Sequence, residues 1–543
     1  MDKEIYQVFL RRKKMIKAWQ VNSIEKVMPD TLPPPDASAW TTLQLTAARG
    51  ETEAVQLALR SEHEKNDVVA IEKTPLRQGK NEIDFNVRIV GFVNVTKPSH
   101  NDGKIGIHPD PLFPFEPFLL EKTKSLWIDV TVPRNAPAGL YDGKLQIKTG
   151  NGDKVDARIE LYVYNFTLPQ PQKLVTAFGL YEKPLREKYG ARYDLMLRRF
   201  RENMWAHHIT HLAFPATDIP LPDITVLPDG KVRIDYTKFD RAIEENLRRG
   251  MNAFEVPIPA KYIAKEKRLD SPYDIATLEQ ILSDYEKHLI TRQWIDMAYF
   301  FLVDEPSRDA FDTFVEIQNM LKRSAPHIRR RLDMGYGAYG GKPGSVKQAE
   351  YRKLKGYVEI WVPHIDCIDQ EFLDSERANG NEVWWYICCS ARHPYPNCLI
   401  DYPLLDSRIP FWMLFNAGAT GYAYWTVNWW NKDPFNDPRS FEPTNGDGML
   451  IYPGENGPLD SLRWEAIRDG IEDYEYFALL ASKIDEIKKK NITAPALPNA
   501  QEALNAVRNA APAPNHYTND SQLLMEIRHK VGTALESLNE GRE

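Results

Sequence analysis

The chain reads as an N-terminal β-sandwich followed by a (β/α)8 barrel and a C-terminal helical extension, on three observations. Its 543 residues exceed what one ordinary hydrophobic core fills, so more than one domain is expected. Up to about residue 168, short β-type runs alternate with Pro/Gly turns and helical periods are few. Beyond that point short apolar runs alternate with amphipathic helices, the pattern of βα units.

In the first segment, "DARIELYVYNFTLP" (156–169) places apolar residues at every second position, as a strand with one buried face requires. "VTVPRNAPAGLYDGKLQIKTGNGDKV" (130–155) reads as strand, Pro/Gly turn, strand, tight turn at Asn151-Gly152, strand. Many short strands joined this way predict a β-sandwich over 1–168. The proline-rich bridge "NFTLPQPQK" (165–173) is the natural boundary.

Eight strands are expected over 169–490: "KLVTAFGLY" (173–181), "ITHLAFP" (209–215), "NAFEVPIP" (252–259), "DMAYFFLVDE" (296–305), "RRRLDMGYG" (329–337), "YVEIWVPHI" (357–365), "EVWWYICCS" (382–390) and "TGYAYWTVNWW" (420–430). Helical periods lie between them, for example at 193–208, where Leu197, Phe200 and Met204 share a face. Others cover 239–250, 277–294 and 311–326. After the eighth strand a long helix starts at Ser461, with Trp464, Ile467, Ile471 and Tyr474 on one side. Lys488, Lys489 and Lys490 suit the negative end of its dipole. Eight strands each followed by a helix spell a (β/α)8 barrel. Residues 491–543 add two helices around "APAPNHYTND" (511–520) as an appendage.

Bulk properties narrow the function classes. A formal net charge of −7, spread along the chain, argues against a nucleic-acid partner. No apolar run has the length of a membrane span, and the N-terminal "MDKEIYQVFLRRKKMIKAWQ" has no signal-peptide core. The four cysteines, Cys367, Cys388, Cys389 and Cys398, show no zinc-type spacing and read as free thiols of a reducing compartment. A cytoplasmic protein without metal or cofactor is expected; the oligomeric state is not legible. The 13 Trp and 25 Tyr suit sugar rings, although aromatics are also ordinary core filler.

The chemistry is sought where barrels keep it, at the C-terminal ends of the strands. "FFLVDEPSRD" (300–309) puts Asp304 and Glu305 side by side at the exit of the fourth strand. A retaining glycosidase of the usual kind needs a second carboxylate about 5 Å away, from another strand. The seventh strand carries only Glu382, at its start and therefore the wrong end, and aromatics and thiols toward its exit. Asp366, after the sixth strand, is the one spare acid near an exit, and it reads as the N-cap of the helix around "DQEFLDSER" (369–377). An adjacent pair with no distant partner suits substrate assistance, in which a sugar's own 2-acetamido oxygen attacks the anomeric carbon. One carboxylate then orients the acetamido group, while its neighbour, kept protonated by the first one's charge, protonates the leaving oxygen.

The chain resembles glycoside hydrolase family 123. The resemblance runs from "AARGETEAVQLAL" and "VPRNAPAGLYDGKL" to the long helix. It is most specific in "FFLVDEP", "WWYICCSARHPYPNCLIDYPLLDSRIPFWMLFNAGATGYAYW", "NGDGMLIYPG" and "SLRWEAIRDGIEDYEYFALL". It implies an exo-acting retaining β-N-acetylgalactosaminidase, with a β-linked N-acetylgalactosaminide of a glycan or glycolipid as partner. The family's catalytic pair falls on Asp304, as acetamido-orienting residue, and Glu305, as acid/base. A β-N-acetylhexosaminidase of other specificity and a non-catalytic carbohydrate-binding protein are the alternatives.

Five further residues are candidates for holding the sugar. Tyr386 could donate a hydroxyl to an acetamido carbonyl, with Trp384 or Trp425 as walls for its methyl; packing in the barrel core is the other reading of both tryptophans. His364, after the sixth strand, could bind a sugar hydroxyl or be structural. Asp447, in the loop "NGDGMLIYPG" (445–454), which lacks the GK[ST] of a phosphate loop, could line a substrate rim or merely serve a turn. Arg463, Arg468, Glu472 and Asp473 on the long helix are expected to form an ion-pair network rather than a catalytic one.

Overall fold

The computed structural model describes residues 16–61, 66–213, 218–259, 272–335 and 348–540. The N-terminal stretch read for a leader (1–15), and the ends of the second and fifth expected strands (214–215 and 336–337), lie outside them. Contacts group the chain into two compact units. One is Met1–Pro169 with Cys398–Met413 and Trp430–Glu543; the other is Gln170–Asn397 with Leu414–Trp429.

The first unit holds the β-sandwich. One sheet has the order Ile16–Asn22, Thr52–Ser61, Lys124–Thr131, Asn86–Val95, Gly106–Pro114, antiparallel throughout. The other runs Trp40–Arg49, Lys154–Thr167, Gly139–Thr149, Asn66–Gln78, Asn81–Ile83, and only its first pair is parallel. The alternation seen at 156–169 resolves as one buried face. Ala157, Ile159, Leu161 and Val163 share a core with Leu57, Leu126, Ile128 and Leu145 from both sheets. Gly152, at φ 88°, closes the hairpin expected at Asn151-Gly152.

The long helix Leu462–Lys489 and the helices Leu497–Ala510 and Ser521–Glu540 belong to this same unit, so the contacts do not follow the segments 1–168, 169–490 and 491–543. The long helix is not amphipathic with one buried side; every residue from Leu462 to Ala478 is buried. Its charges survive burial because they are paired. Arg463 bonds Asp110 at 2.9 Å, Arg408 bonds Asp473 at 2.7 Å, and Arg468 bonds Asp469 at 2.7 Å. Ser461 caps the helix, its hydroxyl accepting from the Trp464 amide at 3.1 Å.

The second unit is a nearly closed parallel barrel. Its strands are β1 (Val175–Gly179), β2 (His211–Ala213), β3 (Phe254–Glu255), β4 (Ala298–Phe300), β5 (Arg329–Met334), β6 (Ile360–Pro363), β7 (Glu382–Tyr386) and β8 (Gly421–Tyr424). They pair in the order β2-β1-β8-β7-β6-β5-β4-β3. Ala177, Tyr299, Ile360, Val362, Trp384, Tyr386 and Ala423 fill its interior. The strands are shorter than the apolar runs that announced them. In β4 the ladder ends at Phe300, and the residues up to Pro306 leave it as a loop.

Candidate active site

Glu305 has φ 40°, in the left-handed region, which costs a non-glycine residue about 1–2 kcal/mol. The chain bends there, leaving Asp304 exposed and Glu305 half-buried. The Glu305 carboxylate then lies against the backbone of Gly335, just past β5, where an added Cβ would stand 2.2 Å from Oε1. On another side Tyr386, the last residue of β7, donates its hydroxyl to Oε1. Strands β4, β5 and β7 thus converge on one carboxyl group.

Burial pushes the Glu305 pKa up, Asp333 and Asp366 add to the shift, and the Tyr386 hydroxyl opposes it, as a positive charge on His364 would. From the sequence, the charge of Asp304 is expected to keep the proton on Glu305. Burial is the leading cause instead, because the exposed Asp304 is screened by solvent. The charge of Asp304 is felt at Tyr181, just past β1, whose pKa is raised by burial first and then by Asp304.

Tyr181 belongs to an aromatic corner at the exits of β1 and β8. Its ring stands 6.2 Å from Trp425 and 5.1 Å from Trp429, both edge-on, and the two tryptophans are 5.6 Å apart. All three are half-buried. The buried amide of Asn428 pins the corner, accepting from the Tyr181 N–H and donating to its carbonyl, each at 2.8 Å. Deeper in the barrel, Arg331 and Asp333 of β5 form a two-point pair at 2.7 and 2.6 Å, with the guanidinium 4.5 Å from the Phe301 ring. His211 of β2 and Tyr299 of β4 share a hydrogen bond of 2.8 Å beside it.

The expected site residues therefore separate. Tyr386 meets Glu305, and Trp425 stands in the aromatic corner. Trp384 is fully buried in the barrel core, its indole N–H on Glu382 at 2.9 Å and its ring against Gly421. His364 is 2% exposed, with Nδ1 on Asp366 at 2.5 Å and Nε2 receiving the Cys388 amide at 3.2 Å. Asp447 is buried in the sandwich-bearing unit, its carbonyl accepting from Ser440 at 2.7 Å. The reading of Asp366 as a helix cap is corrected. The helix Gln370–Ala378 is capped by Asp369, which accepts from the Phe372 amide, because the chain makes one more turn before the helix starts. His364, Asp366 and Cys367 bring donor atoms within 4.8 Å of one another. Hydrogen bonds from the imidazole and from the thiol, at 3.3 Å, onto the Asp366 carboxylate account for that closeness.

Residues 203–480, just over half of the chain, match the model of the glycoside hydrolase 123 catalytic domain. The chain belongs to glycoside hydrolase family 123. It is a glycoside hydrolase, and its substrate is a glycan. A solved family 123 glycoside hydrolase from Clostridium perfringens matches with 15% identity and a TM-score of 0.65, covering 97% of this chain and 98% of the other. A Bacteroides ovatus family 5 xyloglucanase (8% identity, TM-score 0.25, 79% and 98% coverage) and a Paenibacillus barcinonensis xylanase (12%, 0.31, 54% and 95%) are far more distant. No curated relative matches.

Sequence reasoning about this family 123 chain missed Tyr181, Trp429, Asn428 and Gly335. Gly335 follows β5 directly and Tyr181 lies two residues past β1, so the rule that found Asp304, applied to β1 and β5, would have found them too. Asn428 carried no local signal, since its partner lies 247 residues away.

Proposed function

We propose that this family 123 hydrolase is an exo-acting retaining β-N-acetylgalactosaminidase that uses the substrate's 2-acetamido group as nucleophile. The carrying observation is the contrast between the two adjacent acids. Burial favours the protonated form of Glu305, as a general acid requires, while Asp304 faces solvent beside Tyr181.

In the first step the acetamido oxygen bonds to C1 and the C1–O bond to the aglycone breaks. Glu305 gives its proton to the departing oxygen, and Asp304 accepts the acetamido N–H and stabilises the positive charge of the cyclised intermediate. In the second step a water, giving its proton to the Glu305 carboxylate, bonds to C1 as the acetamido oxygen leaves. Two inversions return the β-configuration. The corner of Tyr181, Trp425 and Trp429, whose tyrosine feels the charge of Asp304, is apolar surface suited to an acetamido methyl. The Clostridium perfringens relative, which hydrolyses glycolipid glycans, is in keeping with such a substrate. Among the described residues no helix is long and apolar enough to cross a membrane, and the four cysteines are reduced thiols, which suits a reducing, cytoplasmic setting.

The test compares a chromogenic β-N-acetylgalactosaminide with the plain β-galactoside and adds a thiazoline mimic of the cyclised intermediate. Only the N-acetylated substrate is expected to turn over. The thiazoline is expected to inhibit at micromolar concentration or below, because the site is complementary to the charged bicycle. Comparable rates on both substrates without thiazoline inhibition would require a nucleophile from the protein.

A further inference from the structure

We propose that Asp366 is a positioning residue: by holding the proton of His364 on Nδ1 it fixes the imidazole against Tyr386 and the Cys388 amide, and so sets the phenol that holds Glu305. This rests on the role given to Glu305 above.

The geometry forms one chain across three strands. Asp366 Oδ1 lies 2.5 Å from His364 Nδ1. On the far side of the ring, Nε2 takes the Cys388 N–H at 3.2 Å, with the Ser390 hydroxyl at 3.4 Å. The ring meets Tyr386 in a T-shaped contact, centroids 4.9 Å apart at 70°, and the two residues are paired as a parallel bridge. The Tyr386 hydroxyl then reaches Glu305. An amide N–H aimed at Nε2 needs a lone pair there, so the proton belongs on Nδ1. The hydrogen bond made by one ring nitrogen decides the tautomer at the other, and Asp366 makes it. Burial disfavours the imidazolium while the Cys388 thiol and the Asp366 carboxylate favour it, with a balance above the ordinary histidine range. The Cys388 amide contradicts a doubly protonated ring and decides for the neutral Nδ1–H form.

The groups facing His364 are Asp366, Cys388, Ser390 and Tyr386; those acting on Glu305 are Tyr386, His364, Asp333 and Asp366. Asp366 is also the acid that a protein-nucleophile mechanism would enlist. Its Oδ1 is already occupied by the imidazole and by the Cys367 thiol at 3.3 Å, which suits a holding role.

Two measurements separate the roles. The first is the nitrogen and carbon NMR of the His364 ring, assigned by loss of its signal in His364→Gln. It needs no substrate, so it stands even if the proposed substrate is wrong. The wild type is expected to carry its proton on Nδ1, and Asp366→Ala, which leaves that N–H without its acceptor, to give a mixture of tautomers as the ring turns away from the Cys388 amide. Should the alanine variant not fold, Asp366→Leu, which likewise offers Nδ1 no acceptor, is read instead and is expected to move in the same direction. A wild-type ring protonated on Nε2, or no change in the variant, overturns the proposal. The second is turnover by Asp366→Ala. About a 10-fold loss is expected on an activated aryl glycoside and about 100-fold on a poor leaving group, since a displaced acid matters most where protonation is needed. Equal losses on both classes, or formation of a glycosyl azide when azide is added, would make Asp366 something other than a positioning residue.

Discussion

Glu305 is held from three directions, by its own left-handed backbone, by the Gly335 backbone and by the Tyr386 hydroxyl, and each makes a different prediction. Glu305→Gln is expected to lose about 100-fold or more on poor leaving groups and much less on activated aryl glycosides, measured as kcat/KM. Equal losses would contradict the acid role. Gly335→Ala introduces a Cβ 2.2 Å from Oε1, and only displacement of the acid or its loop relieves that overlap. Turnover is expected to fall about 100-fold, as for a misplacement of about 1 Å, with the circular dichroism spectrum retained. Tyr386→Phe removes a donor that favours the carboxylate form, so the pKa of Glu305 rises further. The alkaline limb of kcat/KM, which the protonated Glu305 sets, is then expected to move to higher pH; a shift downward would mean that the phenol does not donate to Glu305 in solution. The acid pair itself was legible in the sequence, because an apolar run ending in two carboxylates is a local pattern. The cause of the raised pKa was not. Burial of one acid and exposure of its neighbour follow from a positive φ that no residue type announced.

At the scale of elements, all eight barrel strands were legible as apolar runs, and their exits placed the site. Their extents were not, since β4 keeps three ladder residues of an expected ten. The apolar run continues because Val303 is still buried after the hydrogen bonding has ended. The long helix shows the opposite failure. Arg463, Arg468, Glu472 and Asp473 read as an ion-pair network and do pair, but with Glu465 and Asp469 they are buried, where a helix packed along one side would leave them exposed. Periodicity counts a charge as exposed and cannot see the partner that allows it inside. The β1–β8 exit carries a prediction of its own. Asn428→Ala leaves the Tyr181 N–H and carbonyl without their side-chain partner, at about 1–3 kcal/mol for each buried group. A lower melting temperature and a higher KM for the N-acetylated substrate are expected together. A change in melting temperature alone would show that the aromatic corner does not contact the sugar.

Across the molecule, the distribution of the chain into units depends on pairs that no window of sequence contains. Arg463 and Asp110 are 353 residues apart, and Arg528 joins Glu51 across 477. Such pairs assign the long helix and the C-terminal helices to the sandwich-bearing unit, whereas chain order suggested otherwise. They also gather charge. Arg408, Arg468 and Arg528 meet Glu51, Glu53, Glu465, Asp469 and Asp473, more carboxylates than guanidiniums. One consequence is a buried proton. Burial and the neighbouring Asp469 push the pKa of Glu53 up to about 8, and Asp469 is itself raised, so the two titrate together. A carboxyl group with a folded pKa above its unfolded value of 4.5 contributes stability that is complete below pH 4.5 and is lost as pH rises through about 8. The melting temperature of the wild type is therefore expected to decline from about pH 4.5 and to level off above about pH 8. Glu53→Gln replaces the protonated acid with a neutral isostere and removes one charge from beside Asp469. That variant is expected to flatten the decline, matching the wild type near pH 5 and exceeding it at pH 9. Parallel decline of the two proteins across that range would place the buried proton elsewhere in the network.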